Sequence, residues 1–109
     1  MDLIEKKLEV IKNACEEKNG IDIEVLNIGN LTSIADYFVI VSGNSVVQTK
    51  AIAAEIDKEM YDNGYNLIHK EGYDSGRWIL LDFEEIIVHI FHKDEREYYN
   101  LEKLWDEED

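Results

Sequence analysis

The run Tyr37-Phe38-Val39-Ile40-Val41, set between Asp36 and the turn residues Ser42-Gly43-Asn44-Ser45, constrains this chain more than any other segment. It is short enough for a strand and lacks the polar–apolar alternation of a half-buried one. It therefore reads as a central strand covered on both faces. Everything else must be arranged around it.

Two amphipathic helices are available to cover it. In residues 2–18, Ile4, Leu8, Ile11 and Cys15 recur at helical spacing, with Asp2 and Glu5 placed as a capping box and Asn19-Gly20 as the stop. A second helix is predicted over 45–62, where Ser45 and Gln48 repeat the capping pattern, Ile52, Ile56 and Met60 form the apolar stripe, and Asn63-Gly64 ends it. Between the helices, Ile21, Ile23 and Val25 alternate with Asp22 and Glu24, giving a half-buried first strand. A polar connection with an irregular turn is expected from Asn27 to Asp36.

After the second helix come three short strands. Leu67, His69 and Glu71 should share one side of the first, Arg77–Leu81 forms the next, and Ile86–Phe91 the last, with Asp82-Phe83-Glu84-Glu85 turning the chain between the last two. Their short connections predict an antiparallel meander. The second strand, second helix and third strand could form a right-handed crossover. From Asp94 onward, Tyr98, Leu101 and Trp105 are spaced for a short C-terminal helix. These elements predict an α/β protein of the α+β kind: a five-stranded mixed sheet, both long helices on one face, the other face partly open. With no proline and no glycine-serine linker, residues 1–109 read as a single domain.

Charge narrows the function. Twenty-five acids against eleven bases leave a formal net charge of −14. Bare nucleic acid and anionic membranes would repel such a chain, whereas a basic protein surface would attract it. The start, Met1-Asp2-Leu3-Ile4-Glu5, has no basic region followed by an apolar stretch, and no apolar run approaches a membrane span, so a cytoplasmic protein is expected. The single cysteine, Cys15, lies on a predicted apolar stripe beside Glu16 and Glu17 and reads as a core residue rather than a reactive thiol.

Candidate catalytic groups have simpler explanations. His89 and His92, three apart on a strand, point to opposite faces, so His89 reads as a hydrogen-bonded sheet residue and His92 as a loop residue rather than as metal ligands. Ser42-Gly43-Asn44-Ser45 precedes a helix, but turn and cap roles account for it, with no Walker lysine and no dinucleotide fingerprint. Asp22 with Glu24, and Asp82 with Glu84, fit a solvated strand face and a turn better than a magnesium site. Neither an enzyme nor a cofactor is expected. Trp78 is more informative. Alternation in Arg77–Asp82 puts Trp78, Leu80 and Asp82 on one face, so an aromatic, an aliphatic and an acid would stand on the open side of the sheet as an interaction surface. The competing reading packs Trp78 under the C-terminal segment.

These same stretches resemble the ribosomal silencing factor family, also called Iojap-like proteins. The resemblance rests on Ser33–Ile40, Ser42–Ser45, Glu71-Gly72, Gly76–Asp82, Ile87–Phe91 and Arg96–Trp105, in that order. It implies binding to the large ribosomal subunit at its fourteenth protein, on the face that meets the small subunit. Subunit joining would then be blocked and translation lowered when nutrients are scarce. Organellar relatives are linked to large-subunit assembly, and the family fold is similar to that of nucleotidyltransferases without being known for that activity. Alternation and resemblance together nominate Trp78, Leu80 and Asp82 as the contact surface, with Glu71 and Tyr73 beside them and Tyr98 from the tail. Trp78 would be the apolar anchor, and Asp82 and Glu71 the partners of Lys or Arg. Competing readings are an assembly factor using the same docking, an acidic adaptor for another basic protein, and a nucleotidyltransferase. The open face could also pair with itself in a homodimer.

Overall fold

The computed structural model describes residues 2–104. In chain order the elements are α1 (Leu3–Glu17), β1 (Ile21–Asn27), β2 (Tyr37–Gly43), α2 (Val46–Asp62), β3 (His69–Glu71), β4 (Trp78–Asp82), β5 (Ile86–His92), α3 (Lys93–Tyr99) and α4 (Leu101–Leu104). The five strands make one mixed sheet in the order β1-β2-β5-β4-β3. Only β2 and β5 pair in parallel; the other neighbours are antiparallel.

This order follows from which strands need cover on both sides. β2 and β5 are the most continuously apolar and are buried along nearly their whole length, so they occupy the middle. The meander β3–β4–β5 then places β3 at the far edge. β3 runs in the same direction as β2 but is separated from it by two strands, so the crossover through α2 spans β5 and β4 instead of joining neighbours.

Both helix starts are capped as their sequences require. Asp2 accepts from the Glu5 amide at 2.8 Å while the Glu5 carboxylate accepts from the Asp2 amide at 3.2 Å. Ser45 Oγ accepts from the Gln48 amide at 3.1 Å, and Gln48 Nε2 reaches the Asn19 carbonyl at 2.8 Å, tying the start of α2 to the end of α1. Ile11, Ala14 and Cys15 of α1 meet Ile52, Ile56 and Met60 of α2 over Val39, Val41, Ile79, Leu81, Val88 and Ile90 of the sheet. Each such buried aliphatic side chain contributes about 1.5–3 kcal/mol relative to exposure. Burial, with Glu16 adding to it, pushes the Cys15 thiol up to about 12, as befits a core residue.

Four local expectations need correction. A bulge between Ile21 and Glu24, with Asp22 at φ 52°, puts Ile21 opposite Ser42, so Ile21 no longer shares the helix-side face of Ile23 and Val25. Strand β3 begins only at His69, and Leu67 packs into the helix-side core instead of lying beside His69 and Glu71. His92 is the last residue of β5 and caps α3, its Nδ1 accepting from the Asp94 amide at 3.2 Å, rather than standing in a loop. The expected spacing from Tyr98 through Leu101 is interrupted at Asn100, which takes the left-handed conformation (φ 48°) between α3 and α4; Trp105 lies outside the described residues.

Candidate docking face

Register fixes what stands on the face away from α1 and α2. Pairing places Trp78 opposite Phe91, Leu80 opposite His89 and Asp82 opposite Ile87, while on the other side Glu71 faces Leu80 and His69 faces Asp82. Paired residues share a face. Trp78, Leu80, Asp82, Glu71 and His69 therefore lie together on one surface, continued inward by Phe38, Ile40, His89 and Phe91.

This face is less open than the sequence implies. The connection after β1 folds over one end, with Ile28 fully buried against Phe38, Ile40 and Ile87. Over the other end come α3 and α4: the Tyr99 ring stands 4.7 Å from that of Trp78, and Leu101 joins the same cluster. Arg96 anchors this segment. Its Nη1 donates to the Ile21 carbonyl at 3.2 Å and to Ser42 Oγ at 3.0 Å, and its Nη2 to Glu102 at 2.8 Å. Arg77 Nε adds a 2.7 Å ion pair with Glu95. What remains accessible is the β4–β3 side, where Trp78, Leu80 and Asp82 are half-buried and Glu71 is exposed.

Trp78 is held on three sides. Phe91 and Tyr99 lie 4.9 and 4.7 Å from its ring, and its Nε1–H donates to His89 Nδ1 at 3.1 Å. Trp78 thus lies on the face away from α1 and α2 and is also partly packed beneath the C-terminal segment. His89 is the hydrogen-bonded sheet residue that its sequence position suggests. Its imidazole is 5% exposed, and burial lowers its pKa to about 4, so it is neutral at pH 7. Asp82 uses Oδ1 to accept the Glu84 amide of the following turn at 2.8 Å, and Glu71 Oε2 sits 2.6 Å from His69 Nε2. Both acids keep an oxygen outside these contacts.

Two nominated residues stand elsewhere. Gly72, at φ 77°, swings the chain toward α2, so Tyr73 packs against the helix-side core, with Lys70 Nζ 4.6 Å and Lys50 Nζ 5.8 Å from its ring centre. It is not beside Trp78. Tyr98 is 79% exposed and meets its neighbour Tyr99 edge-on at 5.0 Å; the tyrosine on Trp78 is Tyr99. Helical spacing continued through Asn100 points to Tyr98 rather than Tyr99, although an asparagine there is a signal for a helix stop. Among the described residues no group of three or more His, Cys, Asp or Glu side chains is placed to hold a metal ion, and no helix is long and apolar enough to cross a membrane.

Fold and face define a small α+β protein whose mixed sheet is covered by helices on one side and carries an aromatic patch edged with acids on the other. The family model described as ribosomal silencing factor during starvation matches residues 2–109, and the chain belongs to that family. The ribosomal silencing factor RsfS of Bacillus subtilis is 47% identical over 98 residues, covering 90% of this chain and 83% of that protein. A crystal structure of a Chromobacterium violaceum protein superposes with a TM-score of 0.92 at 31% identity, covering 96% of this chain and 87% of that one. More distantly, the mouse protein named mitochondrial assembly of ribosomal large subunit protein 1 is 29% identical over 101 residues, 90% of this chain and 44% of that protein.

Proposed function

We propose that this protein silences translation in the cytoplasm, by docking on the large ribosomal subunit at its fourteenth protein and standing where the small subunit would join. The observation that carries this reading is the shared face of Trp78, Leu80, Asp82 and Glu71, an apolar anchor edged by carboxylates on a chain of net charge −14. Such a face suits a basic protein surface and disfavours exposed RNA. Blockade by occupancy calls for no catalytic group, which fits a role without enzymatic chemistry or a cofactor. Tyr98, exposed on α3, stands at the rim of this contact, and Tyr73 on the helix side is outside it. In the free protein the same face can pair with a second copy, which would compete with the ribosome.

Gradient sedimentation with purified subunits tests the reading. Co-migration with the large subunit, accompanied by fewer whole ribosomes, is the expected result. The name of the mouse relative favours a second reading, in which the same docking serves large-subunit assembly. Binding that leaves subunit joining intact would select it. No binding at low salt would sink both.

A further inference from the structure

The centre of this face holds a polar atom that has no hydrogen-bond partner among the described residues. A tryptophan indole can only donate, so the Trp78 Nε1–H contact at 3.1 Å makes His89 Nδ1 an acceptor. The proton of the neutral ring then sits on Nε2. That nitrogen is shut off from solvent and has no hydrogen-bond partner among the described residues. A buried donor left unmade costs about 1–3 kcal/mol, which an apolar side chain between Ile40 and Leu80 would avoid. The position is therefore expensive for the free fold, and its surroundings show what could offset it. Phe38, 4.5 Å away, and Trp78 wall the imidazole in. The carboxylates of Asp82 and Glu71 lie on the same face, one on the strand that carries Leu80 and one directly across from it.

We infer that His89 is a specificity-determining residue of the docking face, its Nε2–H donating to a neutral carbonyl oxygen supplied by the protein partner. A carboxylate acceptor would be repelled by Asp82 and Glu71, whereas a backbone or amide carbonyl flanked by a lysine or arginine satisfies the donor and both acids together. Because Nε2 is occluded, docking has to shift the side chains around it. The segment over this face is suited to that: α3 and α4 contain no buried residue and are held chiefly by Tyr99, Leu101, the Arg77–Glu95 ion pair and the Arg96 bonds to Ile21 and Ser42. Trp78 would supply apolar contact with many partners. A buried donor that must be met selects among them.

This inference rests on the docking reading, and the experiment separates the two. Affinity for purified large subunits is compared for the parent, His89→Phe and His89→Gln. Phenylalanine keeps an aromatic ring and removes the donor; glutamine retains a donor together with an acceptor for Trp78 Nε1. The expected result is at least a tenfold loss for His89→Phe, about 1.4 kcal/mol, and recovery of most of that loss in His89→Gln. Unchanged binding by a folded His89→Phe protein overturns the inference while leaving the docking reading intact. A parent that fails to bind removes both. Should His89→Phe not fold, nitrogen-15 spectra of the free parent at pH 7 decide the premise. A proton on Nε2 sustains the inference, and a proton on Nδ1 overturns it.

Discussion

Trp78 and His89 are joined by one hydrogen bond and enclosed by Phe38, Phe91 and Tyr99, so substitutions at the two should be read in stability as well as in binding. Trp78 is half-buried, and its contribution is expected mainly at the partner. Trp78→Ala should lower affinity for the large subunit by about 2 kcal/mol or more if it is a hot spot; a folded variant that binds like the parent would strike it from the contact surface. His89 governs stability through pH. Its folded pKa, about 4, lies below the ordinary 6.5, so the unfolded chain binds more protons between those values. The stabilisation from keeping it neutral is complete above pH 6.5 and is lost as pH falls toward 4. At pH 5.5 the loss is on the order of 1 kcal/mol. Glu85, whose pKa is lowered by its hydrogen bond from Lys7, loses its contribution only as pH falls below the ordinary 4.5, so it does not intrude in this window. Urea unfolding at pH 7.5 and 5.5 should show the drop in the parent and a smaller one in His89→Gln. Equal drops would mean that the ring is not held neutral by the fold.

At the scale of elements, the turn before β4 places Trp78. Gly72 has φ 77°, and a Cβ there would run into the carbonyl oxygen of Trp78. Gly72→Ala should therefore cost about 2 kcal/mol or more, visible as a lower urea midpoint; an unfolding free energy within about 0.5 kcal/mol of the parent would show that this turn is not rigid. The helices, their caps, the meander and the central place of β2 were all legible, because capping residues and apolar periods are local signals. So was the shared face of Trp78, Leu80 and Asp82, which needs only strand alternation. What escaped depends on single backbone conformations. Asp22 at φ 52° turns Ile21 to the other face, Gly72 carries Tyr73 to the helices, and Asn100 at φ 48° substitutes Tyr99 for Tyr98 over the patch. The pairing of β5 with β2 was likewise invisible to periodicity, since it joins segments 49 residues apart in a register no local pattern specifies (Tyr37 with Ile86).

Across the whole molecule, charge rather than any one contact should set how fast docking occurs. A net charge of −14 on 109 residues produces a field that extends about a Debye length, roughly 10 Å at 0.1 M salt and shorter above it. A basic protein surface is drawn in by that field before Trp78 or His89 touches anything, so steering belongs to the association rate and the aromatic patch to the dissociation rate. With magnesium held fixed so that subunits stay intact, raising monovalent salt from about 0.05 to about 0.3 M should slow association about tenfold or more while dissociation changes much less. Stopped-flow or surface-capture kinetics on large subunits would read both rates. An association rate indifferent to salt would mean that the acids serve solubility alone, and that docking is driven by the patch without steering. If dissociation carried the whole salt effect, Asp82 and Glu71 would be acting as close ion-pair partners in the bound state, and neutralising them singly as Asp82→Asn and Glu71→Gln should then remove most of the salt dependence.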